Sequence, residues 1–143
     1  MRIHYKYEGV NWLELDNIGE FQKAISNKQI IAVDFDGVIT DPHSMKSEEM
    51  RKRGYIVPAH KTPRQQCVNS GMIHEDVYER STYHVNVTRL LDVPLQKGAK
   101  VALHHLAKYF QIVIVTRRLD AEVNPVLKYI DFHKLPLYFV GNV

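Results

Sequence analysis

The sequence predicts an α/β protein, a parallel sheet flanked by helices, with an insertion after the first site-bearing strand. Three observations predict it. Ile30-Ile31-Ala32-Val33 is an unbroken apolar run that passes straight into Asp34-Phe35-Asp36-Gly37, as expected of a strand buried on both faces that ends at a polar sheet edge. Ala99, Ala102, Leu103, Leu106, Ala107 and Phe110 recur at i, i+3, i+4, i+7, i+8 and i+11, the spacing of an amphipathic helix. Ile112-Val113-Ile114-Val115 follows at once and ends in Thr116, as a second buried strand. Strand, helix and strand in that order imply a right-handed crossover and parallel pairing.

Each element has its own local reason. Ile3, Tyr5 and Tyr7 alternate with polar residues, Glu8-Gly9 signals a turn, and Val10 to Leu15 is rich in strand formers, which together read as a β-hairpin or as a strand with an irregular return. Asp16 or Asn17 caps a helix with Ile18, Phe21, Ala24 and Ile25 on its apolar face, closed by Ser26-Asn27. The strand at 30–33 follows. Beyond Thr40 the chain breaks into short pieces. These are a polar helix over 44–53 stopped by Gly54, a short helix over 63–69 with Thr62 as cap and Pro63 as first residue, a helical stretch over 72–80, and strand-like alternation at Tyr83, Val85 and Val87. After the 99–110 helix and the 112–115 strand, Val123, Val126, Leu127 and Ile130 mark a further helix. It starts at Asn124-Pro125, or earlier at Asp120 with the proline in its first turns. Leu137 to Val140 is the third strand.

Composition sets bounds. The chain has 143 residues, 45% hydrophobic and 24% charged, which suits one globular domain. No apolar run approaches the roughly 18 residues of a membrane span. The N-terminus MRIHYKYEGV has no apolar core of a secretory signal. The single cysteine, Cys67, excludes an internal disulfide, and a cytoplasmic location is expected. A lone thiol of this kind is read as a small core residue. A net charge of +3 is too small for a dedicated nucleic-acid domain but suits an anionic substrate. The eight histidines show no zinc spacing supported by cysteines.

The chemistry concentrates at Asp34 and Asp36. Strand carboxyl ends are where open α/β sheets bind ligands. Carboxylates at i and i+2 can divide labour, one attacking an electrophile and the other handling a proton, and both can help hold a hard cation. The plainer alternative is an Asp-Gly turn at a strand end. Gly37 lets the chain turn with positive φ or pass close to a bound group. A second strand from the same sheet would bring the Thr116 hydroxyl to the same edge, where it and nearby backbone N–H groups can hold phosphate oxygens. Arg117 and Arg118 come next. Either could clamp a phosphate or carboxylate bidentately, Arg117 being slightly favoured by its adjacency to Thr116. The alternative is a solvated pair or a structural salt bridge.

Asp34-Phe35-Asp36-Gly37-Val38-Ile39-Thr40 resembles the first motif of the haloacid dehalogenase-like (HAD) superfamily, and Ile112 to Thr116 resembles its second. The resemblance implies a Rossmann-like core and a Mg2+-dependent phosphohydrolase acting on a phosphomonoester. It implies Asp34 as nucleophile, Asp36 as general acid/base, and Thr116 as phosphoryl ligand. It also implies Mg2+ held by the Asp34 carboxylate and the Asp36 backbone carbonyl. Eighty positions separate Asp36 from Thr116, against about 30 to 40 for a bare βαβ unit. The excess matches residues 41–92, placed like a small cap, leaving a core of 1–40 and 93–143 within a single domain. Its Arg51, Lys52, Arg53, Lys61 and Arg64, with His43, His60, His74 and His84, read mainly as a solvated surface.

The superfamily's third motif, a Lys or Arg, and its fourth, an acidic pair, would follow the third strand, where this chain reaches Gly141-Asn142-Val143. The alternative expectation is therefore a truncated or catalytically incomplete HAD-like domain that serves as a binding or interaction module. A homo-oligomer donating the missing groups is a further option. The expected partner is a small phosphorylated substrate, with neither nucleic acid nor membrane expected. An end-processing phosphatase with a basic cap is disfavoured by the modest charge. A phosphoacceptor receiver domain is disfavoured by Asp36-Gly37.

Overall fold

The structure, a computed structural model, describes residues 2–6, 12–15 and 28–143. Among the described residues five strands form one mixed sheet: β1 (Arg2–Tyr5), β2 (Leu13–Leu15), β3 (Gln29–Val33), β4 (Phe110–Thr116) and β5 (Phe139–Asn142), in the spatial order β2-β1-β5-β4-β3. β3, β4 and β5 are parallel, and β1 runs antiparallel to both β5 and β2. The expected hairpin partners are therefore paired. The expected Glu8-Gly9 turn and the helix over 18–25 lie outside the described residues. Among the described residues no helix is long and apolar enough to cross a membrane.

β4 is the strand that fits an unbroken apolar run. Ile112 and Ile114 enter the main core, and Val113 packs on the opposite face with Ile3 and Phe139. The same expectation for residues 30–33 is overturned. β3 takes the outer position beside β4, and Ile30 is 45% exposed. Apolar continuity reports compatibility with two-sided burial, and an outer strand next to a core strand tolerates it too.

Helices cover the sheet. α1 (His43–Lys52), α2 (Arg64–Cys67) and α3 (Glu75–Tyr83) belong to the segment after Thr40, while α4 (Ala99–Leu106) and α5 (Val123–Phe132) connect the parallel strands. Val123, Val126, Leu127 and Ile130 of α5 are all buried, as their spacing predicts. A 3-10 turn at Asp120–Glu122 leads into α5, so Pro125 sits in the first turn, where its missing N–H costs nothing. α4 is shorter than predicted. It ends at Leu106, Ala102 is exposed, and Phe110 opens β4 instead of closing the helix. The third strand starts at Phe139 and not Leu137. Leu137, just after Pro136, is buried in the main core, so its apolar character reflects packing and not sheet pairing.

Tyr129 ties α5 to the chain that returns from the 41–92 segment. Its hydroxyl donates to the Val93 carbonyl at 2.8 Å, and burial pushes the phenol up to about 12, so it stays a neutral donor. Tyr129→Phe is expected to cost about 1 kcal/mol, because it leaves a buried carbonyl unsatisfied. Urea unfolding should show a lower midpoint with an unchanged slope.

The 41–92 segment leaves and rejoins the core at one place. Thr40 bridges Leu95, the Asp41 N–H donates to the Pro94 carbonyl at 2.8 Å, and the Gln96 N–H donates to the Ile39 carbonyl at 2.8 Å. The segment carries its own apolar cluster of Met50, Val57, Cys67 and Ile73. Cys67 is a core thiol, donating to the Thr62 carbonyl, and burial pushes it up from the usual thiol range. Two local expectations fail here. Thr62 does not cap α2: its hydroxyl donates to the Ala59 carbonyl, and Pro63 takes the cap position. Tyr83, Val85 and Val87 are not a strand, because α3 runs on into a π-helical turn, His84–Thr88. Tyr83 is exposed and Val85 buried, because residues two apart on a helix do not share a face.

Glu49 holds the segment together from α1. Its buried carboxylate accepts from Arg53 at 2.8 Å and Lys52 at 3.1 Å, with His84 and Arg89 slightly further off. Burial works to raise the Glu49 carboxyl, but the hydrogen bonds from Arg53 and Lys52 outweigh it and hold it below the usual carboxylate range. A depressed folded value adds stability above the unfolded value, about 4.3 for Glu. That stability is lost as pH falls through the folded value. Wild type should therefore lose more stability than Glu49→Gln on acidification from pH 5 toward 3, read by urea unfolding at each pH.

A candidate active site at the carboxyl edge of the sheet

β3 ends at Val33, which pairs with Ile114 of β4. The next three residues of the first strand therefore leave the sheet level with the last residues of the second. Asp34, Asp36 and Thr116 line one cleft of about 780 Å3, together with Arg117, Arg118 and residues of α3 and the π-helical turn. Strand pairing alone accounts for the convergence of acids and alcohol.

The loop between is tightly wound around one carbonyl. The Phe35 C=O accepts the N–H groups of Val38, Ile39 and Thr40 at 3.3, 3.0 and 3.4 Å. The Gly37 N–H donates to the Thr40 hydroxyl at 3.3 Å, and the Gln96 amide donates to the Gly37 and Thr40 carbonyls. Gly37 has φ of 77° with open space where a Cβ would sit, so backbone conformation and not crowding calls for glycine there. Phe35 is fully buried and meets Tyr129 edge-on at 5.5 Å. It anchors the loop while its two acidic neighbours face the cleft.

The two carboxylates differ. Asp34 is exposed, and one oxygen accepts the Phe35 N–H at 2.8 Å. Its exposure spares it the cost of desolvating a charge. Asp36 is held bidentately by Arg118, with Nη2 to Oδ1 at 2.7 Å and Nε to Oδ2 at 3.0 Å. The Arg118 side chain is only 6% exposed. It also donates to the Glu122 carbonyl at 3.2 Å and lies 5.7 Å over the Phe35 ring. Arg117 is exposed and lines the cleft without a comparable partner role. Arg118 thus realises the salt-bridge alternative, while Arg117 lines the cleft.

Thr116 is buried, and its hydroxyl oxygen accepts the Arg118 N–H at 3.2 Å. Its own O–H remains available as a donor. Lys46 of α1 is the residue that sequence reasoning passed over. It is 8% exposed, and its ammonium lies 5.7 Å over the Tyr78 ring. Burial pushes it below the usual lysine range, opposed by the charge of Asp36 and reinforced by that of Arg118. A lone lysine in a polar run carries no signal that would have separated it from its solvated neighbours. The histidines lie elsewhere: His43 meets the Thr62 hydroxyl at 3.0 Å, and His84 sits beside Glu49.

Among the described residues no group of three or more His, Cys, Asp or Glu side chains could hold a metal. Mg2+ needs no such group, being commonly held by one or two carboxylates, waters and substrate phosphate. Asp34 and a backbone carbonyl fit that donor chemistry. No protein-family model matches this chain, and no curated protein matches it.

Proposed function

We propose that this chain is a HAD-like phosphohydrolase acting on a phosphomonoester, with residues 41–92 as a cap over the site. The observation that supports it is the shared cleft of Asp34, Asp36 and Thr116, in which Asp34 is exposed and Thr116 carries a hydroxyl able to donate. An Asp34 oxygen attacks phosphorus as the ester oxygen leaves, giving an aspartyl-phosphate and an alcohol. Asp36 protonates the leaving oxygen and then draws a proton from the water that releases phosphate. The Thr116 O–H holds a phosphoryl oxygen. Mg2+, held by Asp34 and the Asp36 backbone carbonyl, would offset the charge of the phosphoryl group.

Arg118 sets a condition on this scheme. Both Asp36 oxygens accept from its guanidinium, so the acid/base role competes with this ion pair. A phosphate dianion entering the cleft is a suitable competing partner for that guanidinium.

The test is phosphate release from a panel of phosphomonoesters. Release should need Mg2+, fall on the order of 100-fold on chelation, and return when Mg2+ is restored. Undiminished release in chelator would contradict the metal assignment. The bidentate hold on Asp36 favours a second reading, a binding module that takes phosphorylated ligands without turnover. That reading predicts phosphate-ester binding with no release under any metal condition.

A further inference from the structure

The roof of the cleft is built by the end of α3 and the π-helical turn. A π turn is rare and tends to occur at functional sites. Here it places two consecutive side chains inward: Val85, fully buried in the core, and Asn86, 8% exposed. Asn86 lines the same cleft as Asp34, Asp36 and Thr116, yet its Oδ1 is buried and has no hydrogen-bond partner. A buried acceptor left unsatisfied is costly and calls for a reason. One turn earlier, Tyr83 lines the cleft with 54% of its surface exposed. Val87 and Val115 add apolar wall.

The phosphoryl group needs only the end of the cleft beside Asp34 and Thr116. A volume of about 780 Å3 leaves room for a leaving group of ligand size. An aromatic face and an unpartnered amide oxygen on one cleft wall complement a flat ring with hydrogen-bond donors along its edge. Nucleobases are recognised in this way, by stacking and by edge hydrogen bonds. A bare sugar phosphate would leave the Tyr83 ring and the Asn86 amide unused.

We infer that the substrate is a nucleoside monophosphate, with Tyr83 stacking on the base and Asn86 reading its edge. The inference rests on the phosphate-site reading above. It makes Tyr83 and Asn86 specificity-determining residues with no part in the bond-breaking step.

Equilibrium binding tests both levels separately. The Asp34→Asn protein, in Mg2+, is titrated with adenosine 5′-monophosphate, cytidine 5′-monophosphate, ribose 5-phosphate and inorganic phosphate. At least one nucleotide should bind roughly tenfold more tightly than ribose 5-phosphate, the expected scale of one base–aromatic stack. Adding Tyr83→Ala should bring the two within about twofold, and Tyr83→Phe should preserve the preference. Asn86→Ala should weaken the nucleotide and leave ribose 5-phosphate unchanged. Equal affinities for nucleotides and ribose 5-phosphate would overturn the inference while leaving the phosphate site standing, as would a preference that survives Tyr83→Ala. Tyr83 is half-exposed, so that variant should fold even where Asn86→Ala does not. Failure of every phosphate compound to bind would overturn the phosphate site and the inference together.

Discussion

Asp34→Asn should lower phosphate release by at least about a thousandfold and leave the fold intact. Loss of a covalent nucleophile removes the reaction's first step, and effects of that size are usual for such residues. Stability should change by no more than about 0.5 kcal/mol. Asp34 is exposed, and the hydrogen bond it accepts from the Phe35 N–H is equally available to an amide oxygen. Phosphate release and urea unfolding on the same preparation separate the two effects. Equal turnover by both proteins would remove Asp34 from the nucleophile role, and a large stability loss would assign it to structure.

Arg118→Met should act on both stability and turnover. The buried guanidinium satisfies both Asp36 oxygens and the Glu122 carbonyl and covers the Phe35 ring. Its removal strands a half-buried carboxylate and a carbonyl, and the expected cost is about 2–3 kcal/mol. Methionine retains much of the apolar contact, so the loss reports chiefly on the polar partners. Pairing the change with Asp36→Asn should recover part of it, since the second change removes the stranded charge, and the shortfall from additivity measures the pair. Arg117→Met is the control. Arg117 is exposed, and its loss should cost no more than about 0.5 kcal/mol. Equal effects at 117 and 118 would contradict the ion pair as the organiser of this edge.

Local chemistry in the sequence foretells much of this fold. The apolar stripe of α5, the parallel relation of β3, β4 and β5, and the antiparallel pairing of β1 with β2 follow from periodicity and connection length. The misreadings have a common source. Leu137 and residues 30–33 are apolar for reasons that neighbours decide: one packs under α5, and the other takes an outer place in the sheet. Three alternating residues at 83, 85 and 87 match a strand over too short a span to exclude a helix. At the site, Asp34, Asp36 and Thr116 stand at strand ends, where position follows from topology. Arg118 against Arg117, the burial of Lys46 and the unsatisfied amide of Asn86 depend on which way a side chain turns inside the folded molecule. No pattern in the chain encodes that choice.

The most direct test of the central claim is acid quenching of the wild-type protein during exposure to a phosphomonoester and Mg2+, followed by peptide mass spectrometry. The account predicts a single acid-stable phosphoryl adduct on the peptide containing Asp34, absent from the Asp34→Asn protein. Phosphate release without that adduct, or an adduct on any other residue, would contradict it.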